Sequence, residues 1–242
     1  MRIITGMHRS GTSLVAQLFF EAGAPMGDPA TFYRPDRWNP DGYYEQPDIH
    51  AINMPLINGP WGRLSYFWLP SAAAILRRSQ KLAPQITATA EKYDESVIKD
   101  CRFCLTLPAW QAHGAVFEKV LICLRDPHAV ALSLKRRNRI PDRLAYHLWR
   151  VHHASILHHA ADLKSWYVYY PNLLDPQTFE RELAAALDFL EVPLAAAARR
   201  DLWSRCVKQD LNHAQRRSVV YPQKIQDLWQ DLLRRHEAQF KE

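Results

Sequence analysis

MRIITGMHRSGTSLV, residues 1–15, decides the fold. Ile3, Ile4 and Thr5 form a short apolar run that stops at Gly6. Met7 to Gly11 reads as a turn, and Thr12-Ser13 opens an apolar segment from Leu14 to Phe20. The order is strand, tight loop, helix. Backbone N–H groups and a helix N-terminus then point at one spot, which suits a phosphate or a sulfate. The spacing Gly6-x4-Gly11-Thr12-Ser13 matches the phosphate loop G-x4-G-K-[ST] in all but one position. Thr12 stands where the lysine belongs, and a cation comes three residues earlier, at Arg9.

Outward from this loop, strands and helices alternate. Ser96–Asp100, Lys119–Leu124 and Trp166–Tyr170 read as three further strands. The second of these, uninterrupted in its apolar residues, belongs in a sheet covered on both faces. Helices are expected over Ser10–Glu21, from Asp48, over Ser71–Tyr93 with a break near Pro84, and over Leu105–Phe117. Others are expected from Pro127, from Pro141 to Leu163, and over Gln177–Leu190. The pattern predicts a three-layer α/β fold, like that of the phosphate-loop NTPases, with a mainly parallel sheet between helices. Ligands of such sheets lie at the carboxyl ends of the strands, where Gly6, Lys99, Arg125 and Tyr170 emerge.

The 242 residues suit one domain spanning the whole chain, large enough to bury roughly 70–75% of its unfolded surface. The net charge of +6 favours an anionic ligand, but the basic residues are dispersed, so nucleic acid is not expected. Residues 29–70, with Pro29, Pro35, Pro40 and many aromatics, read as an acceptor-site loop region. Residues 195–242 read as a helical extension with a basic interruption at His213, Arg216 and Arg217. Cys101-x-x-Cys104 lacks the second pair that zinc requires, and no metal site is expected from it. His147, His152, His153, His158 and His159 share no metal-binding spacing and read as helix-surface or pocket residues. No signal peptide and no membrane-spanning run are visible, so the expected location is cytoplasmic.

HRSGTS in this setting resembles the 5′-phosphosulfate loop of sulfotransferases that use 3′-phosphoadenosine 5′-phosphosulfate (PAPS). Arg125 and Ser133, eight apart after a buried strand, are similar to that family's 3′-phosphate motif. Tyr169 to Pro176 resembles its strand-ending Y-E-D-L-x-x-D-P segment, with Tyr170 in the place of the adenine-contacting tyrosine and Pro171-Asn172 departing from the acidic pair. Val97 to Arg102 resembles the K-D-P-R segment of bacterial members, with Cys101 for the proline, and Asn39-Pro40-x-Gly42-x-x-Glu45 is also reminiscent of them. The resemblance covers about residues 1–192; the tail lacks the family's C-terminal glycine-rich segment.

The resemblance implies transfer of a sulfuryl group from PAPS to a hydroxyl or amine of a carbohydrate or small metabolite, with no metal required. Gly6, His8, Arg9, Ser10, Gly11, Thr12 and Ser13 would hold the 5′-phosphosulfate. Arg125 and Ser133 would hold the 3′-phosphate and Tyr170 the adenine, with Arg216 and Arg217 in a lid. Arg9 and Lys99 would stabilise the charge that develops in the reaction. By the same resemblance the acceptor's base would be Glu45, with Asp100 and His50 as alternatives. Two other readings stay open. A phosphate-loop kinase or NTPase would want lysine at Thr12, and a non-catalytic nucleotide- or glycan-binding module would need no base. The oligomeric state is open.

Overall fold

Strand β1 (Arg2–Thr5) runs between two parallel neighbours, with β2 (Val97–Lys99) on one side and β3 (Lys119–Leu124) on the other. β4 (Lys164–Tyr169) adds beyond β3, giving the order β2-β1-β3-β4. The computed structural model describes residues 1–37, 39–59, 69–208 and 219–241. Ile3 registers with Ile98 and Val120, so every strand ends at the same edge.

Successive strand residues face opposite layers, as the two-residue period of a pleated strand requires. Ile4, Leu121, Cys123 and Val168 pack under α1 (Thr12–Glu21), α8 (Phe179–Phe189) and α9 (Ala196–Cys206). Ile3, Ile98, Val120 and Ile122 face the other layer. That layer is built from α2 (Pro47–Asn58), α3 (Ala72–Ser79), α4 (Ala83–Lys92) and α5 (Phe103–Gln111), with α6 (Pro127–Asn138), α7 (Asp142–His159) and α10 (Gln223–Ala238). The three-layer expectation holds, and the sheet is parallel throughout.

Several boundaries differ from expectation for local reasons. α5 starts at Phe103 because the Asp100 carboxylate accepts from the Arg102 N–H at 2.7 Å and turns the chain early. It stops at Gln111, since Gly114 adopts φ 89 and sends Phe117 into the core in extended form. Tyr170 opens a 3-10 turn (Tyr170–Leu174), because Pro171 cannot donate to a sheet ladder. The break near Pro84 is a 3-10 turn at Gln80–Leu82 that lets α4 begin afresh. Among the described residues, no helix is long and apolar enough to cross a membrane.

α10 is tied to β4 by a buried network. Glu182 of α8 accepts from the Tyr169 N–H at 2.7 Å and meets His236 Nε2 at 2.9 Å, while the Gln239 side chain bonds both the N–H and the carbonyl of Tyr167.

Candidate anion-binding and transfer site

The loop after β1 is built by backbone constraints. Gly6 passes so close to β3 that a Cβ there would lie 2.7 Å from the Cys123 carbonyl oxygen. Ser10 N–H donates to the Met7 carbonyl at 3.0 Å, closing a turn, and Arg9 sits at φ 73. A non-glycine residue in that region is held by its surroundings at some energetic cost. Gly11, at φ 91, precedes α1, whose start carries no side-chain cap. The N–H groups of the first turn therefore remain available to a ligand. The Ser10 hydroxyl is fully buried beside them, without a protein hydrogen-bond partner. Such a donor is costly to bury unless something accepts from it. An anion seated in the loop would do so.

Three elements bring their charges to this loop. Arg9 Nε donates to Ser133 Oγ of α6 at 2.8 Å. Arg125, at the end of β3, donates to the Arg9 carbonyl at 3.0 Å and lies 4.6 Å over the Tyr170 ring. Tyr170 in turn presses on the loop, where a Cβ on Gly11 would come within 2.0 Å of its ring. Burial, then the neighbouring Arg137 and Arg125 charges, lowers the Arg9 pKa, and burial lowers that of Arg125. Two half-buried guanidiniums with lowered proton affinity mark a place that is electrostatically short of an anion. Arg9, Gly11, Thr12, Ser13, Arg125 and Tyr170 line one cleft here.

The sequence reading paired Arg125 with Ser133; the observed hydrogen bond to Ser133 comes from Arg9, which links the two. Tyr170, assigned to adenine, is 6% exposed and supports Arg125 and Gly11. His213, Arg216 and Arg217 lie outside the described residues.

On the β2 side a second charged group forms. Lys99 Nζ reaches Glu45 Oε1 at 2.6 Å, the Tyr43 carbonyl at 3.2 Å and Ser13 Oγ of the loop at 3.4 Å. Glu45 Oε2 takes Arg102 at 3.2 Å, and Arg102 also bonds Asp100 at 3.0 Å. Burial alone would raise the Glu45 pKa, but the Lys99 and Arg102 charges and hydrogen bonds outweigh it and hold the carboxylate ionised. Burial likewise opposes the Lys99 charge, and Glu45 more than restores it. Asp100 is further tied to Asn53 at 3.1 Å, and Asn53 accepts from Thr106 and Trp110. His50 bonds the Tyr33 hydroxyl at 2.8 Å.

Arg102 was not singled out from the sequence as a site residue, although it ends the segment resembling K-D-P-R. Glu45, Asp100 and Cys101 offer ligand atoms within 4.8 Å of one another. Lys99 and Arg102 already compensate the two carboxylates, and burial pushes the Cys101 thiol up to about 12, so the trio is poorly suited to a divalent cation.

Two hollows near the loop take described residues of the 29–70 stretch, and Pro55 and Gly59 border a third beside α3. Asn39, Asp41 and Gly42 border the Arg9–Arg125 cleft. Met54, Ile57, Asn58 and Leu69 line a separate cavity of about 150 Å³ with His8, Cys101, Arg102, Leu105, Leu148 and His152. Phe32 lines neither; it packs on Phe20 and Tyr44. Trp38 and residues 60–68, which hold Trp61, Tyr66, Phe67 and Trp68, are outside the described residues. Of the histidines, His152 reaches the cavity while His153 is core, each with Nδ1 at the carbonyl four residues back.

No family model matches this sequence, and no curated protein matches it. Among solved structures, the sulfotransferase domain from the curacin biosynthetic pathway superposes with a TM-score of 0.55. The match covers 96% of this chain and 97% of the other, at 15% identity. The fold is a sulfotransferase fold. In this sulfotransferase-like fold the loop at Gly6, the Arg125 strand end and the Lys99–Glu45 pair share one sheet edge.

Proposed function

We propose that the protein is a sulfotransferase that takes its sulfuryl group from PAPS and passes it to a hydroxyl, or an amine, of a small acceptor. The observation that carries this reading is the Arg9–Ser133–Arg125 arrangement around an uncapped helix start. It offers two guanidiniums, hydroxyls and loop N–H groups for two separate anionic groups, and the shared fold agrees with it. A kinase would want a lysine where Thr12 stands.

In the proposed reaction the acceptor oxygen forms a bond to sulfur while the bond from sulfur to the 5′-phosphate oxygen breaks. The electron pair of the broken bond stays on the phosphate, leaving adenosine 3′,5′-bisphosphate. Arg9, the Ser10, Thr12 and Ser13 hydroxyls and the loop N–H groups stabilise the charge gained there, and Lys99 serves the sulfuryl oxygens. The acceptor's proton passes to Glu45. Each Glu45 oxygen already meets one cation and keeps a lone pair. Such a weak base accepts only as the acceptor oxygen, bonding to sulfur, becomes acidic. Asp100 is the poorer candidate, held by Asn53 and Arg102, and His50 is engaged by Tyr33.

Calorimetry with adenosine 3′,5′-bisphosphate and with Mg-ATP tests the donor. The bisphosphate is expected to bind at least tenfold more tightly without metal, and a preference for Mg-ATP overturns the reading. Transfer of label from PAPS to an acceptor panel tests the reaction.

A further inference from the structure

The cavity beside the loop has its own chemistry. Met54, Ile57, Leu69, Leu105 and Leu148 supply aliphatic walls from α2, α5, α7 and the segment entering α3. Its polar groups gather toward the strand ends. Arg102 is there, but its charge is met by Asp100 at 3.0 Å and Glu45 at 3.2 Å. His152 spends Nδ1 on the Leu148 carbonyl, and burial lowers its pKa to about 4, so the ring is neutral. His8 is neutral for the same reason, reinforced by His152 and by the nearby Arg102, Arg9 and Arg137.

Two contacts connect this cavity with the phosphate loop. His8 lines it and immediately precedes Arg9. Arg102 lines it and pairs with Glu45, whose other oxygen meets Lys99, which reaches Ser13. Arg102 thus stands between the cavity and the Glu45 carboxylate, within reach of a hydroxyl held at the cavity's polar end.

We propose that this cavity is the acceptor site and that it takes a neutral molecule with an apolar body and a single hydroxyl, an alcohol or a phenol. The proposal rests on the sulfotransferase reading and narrows it. A carboxylate or sulfate placed here would be desolvated with no unpaired cation among the described lining residues to meet it. A sugar would need partners for hydroxyls on every side, and five of the ten described lining residues are aliphatic. The volume, about 150 Å³, matches one benzene-sized body.

The test is binding of phenol, 1-hexanol, glucose and benzoate to the full chain, with and without adenosine 3′,5′-bisphosphate, followed by calorimetry and ligand-observed NMR. Phenol or hexanol, whichever the site prefers, is expected to bind saturably and at least tenfold more tightly than glucose or benzoate. Met54→Trp, which fills the cavity from a half-buried position, is expected to weaken that binding at least tenfold. Leu148→Phe is a second filling variant, should the first perturb α2. Both should leave bisphosphate affinity within about twofold. The proposal is overturned if neither alcohol binds, if glucose or benzoate binds as well, or if both filled variants bind the alcohols normally. Failure of the bisphosphate titration with alcohol binding intact sinks the donor reading and leaves the cavity as an alcohol-binding site without its acceptor role.

Discussion

Arg9 Nε donates to Ser133 Oγ at 2.8 Å, so the loop after β1 and helix α6 hold a common guanidinium. A hydrogen bond to a charged group is worth about 1.5–3 kcal/mol. Ser133→Ala is therefore expected to weaken adenosine 3′,5′-bisphosphate binding about tenfold or more by calorimetry. An unchanged affinity would show that the bond does not orient Arg9 for the ligand.

Arg125→Ala is expected to weaken the bisphosphate far more than adenosine 5′-phosphate, since only the former carries the second anionic group. Equal losses for the two ligands would remove Arg125 from the 3′ side and leave it as a prop for the Arg9 carbonyl.

Gly11→Ala sets a Cβ against the Tyr170 ring at 2.0 Å and strains a backbone held at φ 91. The backbone term alone is about 1–2 kcal/mol. Thermal unfolding should shift downward, and bisphosphate affinity should fall with it because Tyr170 supports Arg125. A variant as stable as the parent would mean that the ring and the loop separate freely.

Glu45→Ala leaves Lys99 and Arg102 facing each other without their shared carboxylate. Removing one member of such a buried pair costs about 3–5 kcal/mol. Glu45→Gln keeps the shape and should cost less, while the transfer rate falls in both variants. Full transfer activity in a folded Glu45→Gln protein would take proton acceptance away from Glu45, and Asp100→Asn and His50→Ala would then be the next variants to assay.

His152 and His153 both have pKa values lowered from 6.5 to about 4 by burial. Their neutral forms are favoured in the folded chain, so the unfolded chain binds more protons once pH drops below 6.5. Stability is complete above that pH and is lost as pH falls toward 4, by roughly 3 kcal/mol per ring. Glu45, whose pKa is also depressed, adds a loss of the same sign below about pH 4.5, its ordinary value. Denaturant midpoints measured from pH 7.5 to 4 should decline steadily, and a flat profile would mean that the two rings are hydrated.

The fold was legible because its signals are local. Ile3 to Thr5 ending in Gly6, and Lys119 to Leu124 ending in Arg125, announce strand ends without tertiary information. The loop cations and Ser133 were legible too, but not which guanidinium would take the serine; that depends on how α6 lies over the loop. The partners of Glu45 were hidden for the same reason. Arg102 reaches it across 57 positions, and the only hint was a segment ending Asp100-Cys101-Arg102. The cavity was harder still, since its described walls come from three helices and three connecting segments and follow no periodicity.

The strand order β2-β1-β3-β4 has a consequence for how such a protein can change. The groups assigned to the donor stand on β1, β3, β4 and α6, while Lys99, Asp100, Arg102 and most of the cavity wall belong to β2, α2 and α5. The β1–β2 pairing and the packing of α5 on α7 join the two sides, and their charged groups meet where Lys99 reaches Ser13. On the proposed assignments, substitutions in α2 and α5 bear first on what is received and those at Arg125 and Ser133 on what is given, so the two preferences are coupled chiefly through Lys99.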